Sequence, residues 1–170
     1  MSFRFSKNII KCQLSGKRDL KKVLSLGFLP PVNNYFSTGI RKKEEVFFPA
    51  EIFYSKSSKL IQLGTIVDKD IIFPKNYPYT SSTTKILRDN FKELYLECKK
   101  IIKPSEKDLI IDIGSNDGNL LSNFKKNHKV LGITPEKIGK IAIKKGIRTL
   151  LKYFDSLTCK IILKKYGRAK

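Results

Sequence analysis

Hydrophobic and polar positions follow two rhythms along this chain. From Thr83 to Ile102 the apolar residues Ile86, Leu87, Phe91, Leu94, Tyr95 and Cys98 recur every three or four positions, the spacing of one helical face. The hydroxyl residues at 80–84 offer an N-cap, and Pro104 stops the helix. Asp108–Ile113 is then a continuous apolar run closed by Gly114, as in a strand buried on both faces. The pattern continues as helix (Leu120–Lys126), strand (Lys129–Ile133), helix (Pro135–Lys145, with proline at its start), strand (Gly146–Leu150) and helix (Leu157–Tyr166). Alternation of this kind predicts an α/β fold with a parallel sheet, of which these are the first strands. Residues 1–80 read differently. They are loop-rich, hold most of the prolines, and contain short runs (Lys22–Leu26, Val46–Phe48, Leu60–Leu63) that predict brief strands. The boundaries are therefore placed at 1–80 for a small module, 81–104 for a connecting helix and 105–170 for the α/β part.

The turn after the first core strand carries the chemistry. In Asp112-Ile-Gly114-Ser115-Asn116-Asp117-Gly118-Asn119 a strand runs through two glycines straight into a helix. Glycine permits close backbone approach and positive φ together, and the helix start adds unpaired N–H groups. In Rossmann-like sheets this first strand-to-helix turn is where a nucleotide cofactor lies. A dinucleotide turn would read G-x-G-x-x-G, which is missing here. Two acids stand at the turn instead, Asp112 and Asp117. That suits a cationic adenosyl ligand such as S-adenosylmethionine (SAM), which has an ammonium and a sulfonium and no phosphate. The second strand ends at Thr134-Pro135-Glu136, where a ribose-binding acid is expected; Glu136 otherwise reads as a first-turn residue favoured by the helix dipole.

Composition narrows this only a little. The 170 residues hold one ordinary domain, or a module plus part of a larger one, and 41% apolar residues are enough for a core. The net charge of +20 would attract phosphate backbones. Its lysines are scattered singly and in pairs, however, as in a solvated basic surface, so nucleic acid ranks last among partners. No run of roughly 20 apolar residues predicts a membrane span. Three distant cysteines and the lack of an apolar leader predict a cytoplasmic setting. Cys98 and Cys159 read as packing residues and His128 as a solvated loop residue.

Several motifs in order carry a more specific signal. Cys12-x-x-Ser15-Gly16, Leu24-x-Leu-Gly27-x-x-Pro30-x-x-Asn33, Phe48-Pro49, Leu60-Ile-Gln62-Leu63, Tyr77-Pro-Tyr79-Thr-Ser81-Ser82, DIGSNDGNLL (112–121) and VLGITPEKIGKIAIKKGIRT (130–149) together resemble the SAM-dependent C-methyltransferases of deoxysugar biosynthesis. The resemblance implies a zinc-binding N-terminal module followed by a class I methyltransferase domain, and methylation of a ring carbon of a nucleotide-linked keto-sugar through an enolate. It places Asp112, Gly114, Ser115, Asn116, Asp117, Gly118, Thr134 and Glu136 at the SAM site, and Tyr77 and Tyr79 on the active-site loop.

Departures from that family pattern set further expectations. The zinc module uses two C-x-x-C pairs; here only Cys12 remains, with Ser15, Ser55 and Ser58 at the other positions. One thiolate among hydroxyls is not a zinc site, so no zinc is expected and the module forgoes metal-binding free energy on the order of 10 kcal/mol. Tyr35, Phe36, Phe47, Phe48, Phe53 and Tyr54 are the residues expected to compensate by apolar contact. Thr134 stands where the family has Glu, which predicts weakened SAM binding. The chain also stops where the family pattern enters its fourth strand, so the expectation is an incomplete or split member, completed by a second polypeptide if it is active. The competing readings are a non-catalytic interaction module, pairing through open strand edges, and a basic nucleic-acid binder.

Overall fold

A computed structural model describes residues 5–32, 35, 38–39, 45–73 and 78–169. The chain divides into two compact units, Met1–Pro74 and Lys75–Lys170.

The first unit is built from short antiparallel strands. β1 (Ser6–Asn8) pairs with β5 (Thr65–Val67), and β2 (Leu20–Leu29), β3 (Phe48–Ser55) and β4 (Ile61–Leu63) form a second sheet in that order; a single helical turn, α1 (Lys69–Ile72), follows β5. β2 is longer than its apolar run predicts, and its pairing with β3 shifts register between Lys22 and Leu24 and again between Ser25 and Phe28. Gly27, at φ 78°, sits in the second irregularity. Of the run Val46–Phe48 only Phe48 enters a strand. The aromatic compensation expected here is slight. Phe48 is buried and Phe53 and Tyr54 are half-buried, but Tyr35 and Phe47 are exposed and Phe36 lies outside the described residues. Backbone pairing and polar contacts hold this unit more than an apolar core does.

The second unit follows the predicted alternation. α2 (Lys85–Ile102) starts at Thr84, whose hydroxyl accepts from the Leu87 N–H, and ends at Lys103 in the left-handed region. Leu87, Phe91, Tyr95 and Cys98 are its half-buried stripe, whereas Ile86 and Leu94 face solvent. After it come β6 (Leu109–Ile113), α3 (Asn119–Phe124), β7 (Lys129–Ile133), α4 (Gly139–Lys144), β8 (Thr149–Leu150) and α5 (Ser156–Tyr166). The three strands are parallel in the order β6-β7-β8, in register from Leu109 opposite Lys129 to Ile113 opposite Ile133. Side chains alternate across the sheet. Leu109, Leu131 and Ile133 pack with Ile162 of α5, while Ile110 and Val130 pack with Leu121, Ala142 and Ile147 on the other face.

Three expectations are corrected. β6 is only half-buried along most of its length, because among the described residues it has a strand partner on one side alone. α4 begins at Gly139, not at Pro135, because 134–138 is spent on a turn in which Gly139 N–H donates to the Glu136 carbonyl. His128 is not a solvated loop residue. Its ring is buried beside Phe124, with Nδ1 2.9 Å from the Ser105 carbonyl.

Gly118 combines a left-handed torsion with a close approach to its neighbours. Its φ is 77°, and a Cβ there would stand 2.7 Å from Ile147 Cδ1 and 2.9 Å from Ala142 Cβ. Gly146 has a similar φ of 75° with open space around it. Gly146→Ala is therefore expected to cost only the left-handed strain, about 1–2 kcal/mol. Gly118→Ala adds overpacking of about 1–3 kcal/mol. Denaturant midpoints of the two variants test the difference, and equal losses would show that the close approach carries no weight.

Candidate cofactor site

The carboxyl ends of parallel strands form the edge where open α/β sheets bind ligands. In this chain that edge consists of the end of β6 with its glycine turn and the end of β7 with the turn 134–138. Asp112 lies half-buried near the end of β6. Burial alone pushes its carboxyl above the usual range. It lines a cavity of about 220 Å³ with Leu94, Cys98, Ile102, Leu120 and Phe124. Ile113 and Gly114 are exposed. Gly114 has φ 82° and nothing within 4 Å of where a Cβ would be, so here the glycine serves backbone conformation and leaves open space over the turn. Its N–H and that of Ser115 both donate to the Ile133 carbonyl, which ties the turn to the end of β7.

The rest of the turn is internal support. Asp117 has no exposed surface; its carboxylate accepts from Ser81 Oγ at 2.6 Å and from Lys145 Nζ at 2.9 Å. Burial disfavours its charge, yet the Ser81 and Ser82 hydroxyls and then the Lys145 ammonium together hold the carboxyl below its ordinary value. Its carboxylate faces Ser81 and Lys145. Gly118 is likewise buried against α4 and not open to a ligand. Ser115 is buried over Gly132, where a Cβ would lie 2.5 Å from its hydroxyl.

Asn116 stitches a second segment to the turn. At φ 50°, a torsion asparagine tolerates, it accepts from the Ser81 N–H at 2.9 Å and donates through Nδ2 to the Tyr79 carbonyl at 3.0 Å. The segment carrying Tyr79 thus lies directly on the glycine turn, with Tyr79 exposed; Tyr77 lies outside the described residues. At the end of β7, Thr134 and Glu136 are both buried, and the threonine hydroxyl donates to the glutamate carboxylate. Glu136 stands ahead of α4 and not in its first turn. Ser81 and Lys145 were missed as functional residues in the sequence, since a contact across 28 or 36 positions leaves no local pattern.

In the first unit the four positions of the broken ligand set do come together. Cys12 Sγ lies 3.0 Å from Ser58 Oγ, and the Ser15 N–H points at Cys12 Sγ at 3.4 Å. The Ser15 hydroxyl above all, then its N–H and the Ser58 hydroxyl, hold the Cys12 thiol down at about 6. A single thiol with three neutral hydroxyls does not fit a structural zinc, which takes four thiolate or imidazole donors in a closed tetrahedron. Among the described residues no group of three or more His, Cys, Asp or Glu side chains is placed to hold a metal.

Comparison with known proteins bears on both units. Residues 12–73 match the family described as "Putative zinc binding domain". Over 164 residues the chain is 24% identical to the C-methyltransferase NovU of Streptomyces niveus, a match covering 95% of this chain. The chain is thus similar to a C-methyltransferase along most of its length. Its N-terminal unit is the part that matches the zinc-binding family, in agreement with the motif order. The match spans 39% of the length of the Streptomyces enzyme. No helix among the described residues is long and apolar enough to cross a membrane.

Asp117 makes the site sensitive to acid. A carboxyl whose folded pKa is depressed adds stability that is present above its unfolded pKa, near 4, and is lost as pH falls through the folded value. Asp117→Asn is expected to destabilise the chain by about 1–3 kcal/mol at neutral pH, and by much less once the wild-type carboxyl is protonated. Urea unfolding from neutral pH down to pH 3 measures both. A constant difference between the two proteins would rule the charge out.

Proposed function

We propose that this chain carries the SAM-binding front of a C-methyltransferase that acts on a nucleotide-linked keto-sugar. The observation that carries the reading is the carboxyl edge of the parallel sheet. There, open backbone at Gly114 and the Asp112 carboxylate at the end of β6 stand beside the buried Thr134–Glu136 pair at the end of β7. The order β6-β7-β8 corresponds to strands 1, 2 and 3 of a Rossmann-like half sheet. Relatedness to a C-methyltransferase supplies the chemistry.

In this reading Asp112 accepts the ammonium of the cofactor's amino acid end. Gly114 keeps the turn low enough for the adenosyl group to pass over it. Glu136, oriented by the Thr134 hydroxyl, offers its carboxylate to the ribose in place of an acid at 134. Bound SAM supplies an electrophilic methyl group. Tyr79 stands on the segment that faces the sugar, and Tyr77 is placed with it by resemblance. The outer edge of β6, unpaired among the described residues, is where the remaining strands of the sheet join, on this polypeptide or on a second one.

Calorimetric titration with SAM tests the proposal. Because burial raises the Asp112 carboxyl pKa, the anion that receives the ammonium is depleted as pH falls toward that value, so affinity should weaken on acidification. Asp112→Asn should cost roughly tenfold in Kd, about 1.4 kcal/mol, and flatten the pH dependence. Absence of both heat and thermal shift at millimolar SAM would remove the cofactor assignment.

A further inference from the structure

Two separate stretches of the first unit fold into the same turn. In 12–17 the Cys12 N–H donates to the Lys17 carbonyl, the Gly16 N–H to the Cys12 carbonyl, and the Ser15 N–H to Cys12 Sγ. In 55–60 the Ser55 N–H donates to the Leu60 carbonyl, the Lys59 N–H to the Ser55 carbonyl, and the Ser58 N–H to Ser55 Oγ. The bond between first and fourth residue is 3.4 Å in both. The fifth residue has positive φ in both, 71° at Gly16 and 62° at Lys59. Lysine pays steric strain for that torsion.

What ties the two turns together is visible around Ser57. Asp19, just beyond the first turn, accepts from Ser55 Oγ at 2.9 Å and from the Ser57 N–H at 2.7 Å. The Ser57 hydroxyl donates to Ser15 Oγ at 3.2 Å, and Cys12 Sγ meets Ser58 Oγ at 3.0 Å. Ser55 has no exposed surface and Cys12 almost none, so these bonds lie where water does not compete freely. An anion that gathers donors from the second turn does the joining work of a cation that gathers thiolates.

We propose that the first unit folds without metal, with the Asp19 carboxylate and a hydroxyl network in the place of zinc, and that its paired turns still present a latent four-ligand zinc site. The matched turns explain why the backbone survives the loss of three thiolates. They also mean that the first and fourth residues of each turn remain aimed at a common point.

The test uses the full chain and three measurements. Protein made in zinc-supplemented medium should contain substoichiometric zinc by elemental analysis and keep its Tm in excess chelator; one zinc per chain, or a Tm that falls with chelator, overturns the metal-free fold. Asp19→Ala should lower the Tm by several degrees or abolish folding, with Asp19→Asn intermediate; an unchanged Tm in Asp19→Ala overturns the role of the carboxylate. The triple variant Ser15→Cys, Ser55→Cys, Ser58→Cys should bind one zinc, and give the visible bands of tetrahedral thiolate coordination with cobalt(II) in its place. A triple variant that stays metal-free in excess zinc, folded or not, overturns the latent site.

Discussion

A carboxylate with no exposed surface, Asp117, receives the hydroxyl of Ser81 from one side and the ammonium of Lys145 from the other. Those partners come from the segment ahead of α2 and from the end of α4, so a single side chain fixes three pieces of backbone around the glycine turn. A buried ionised group is tolerable only when its hydrogen-bonding capacity is met. That requirement works as a positional constraint: the turn cannot drift from the sheet edge without stranding the charge. Asn116 adds a second tether in the same direction, through Tyr79 and Ser81. The openness at Gly114 is thus framed by neighbours that are not free to move.

The two units solve the problem of small size by different means. The second has apolar layers on both faces of its sheet, around Leu131 and Ile133 on one side and Leu121, Ala142 and Ile147 on the other. Among its described apolar residues the first buries little beyond Phe48 and Cys12, and domains of this size commonly need a staple in addition to a core. In this unit a polar cluster around Asp19 and Ser57 joins the two turns.

Much of the second unit could be read from the order of residues. β7 spans Lys129–Ile133 as its apolar run says, and the Thr84 cap and the glycine turn fall where hydroxyl and glycine chemistry put them. What periodicity could not give was depth. Ile86 and Leu94 share the spacing of the stripe yet face water, since spacing sets a face but not how far a neighbour covers it. Pro135 looked like a helix start because proline suits that position, but the chain spends those residues placing Glu136 beneath Thr134. At the glycine turn, the strand-end place of Asp112 and the bend at Gly114 were visible in the sequence. The inward orientation of Asp117 was not, because it depends on Ser81 and Lys145 arriving from far along the chain. Asp19 gave no signal at all; its neighbours in sequence carry no motif, and its partners are 36 and 38 positions away.

The contact between Gly118 and α4 has an evolutionary side. Gly118, Ala142 and Ile147 share one small volume in which a missing side chain at the first makes room for the other two. None of the three can grow alone, so substitutions here should be accepted in lineages only as compensated sets. Across related sequences the residues at these positions are expected to trade bulk against one another, a covariation imposed by volume and independent of what the cleft binds.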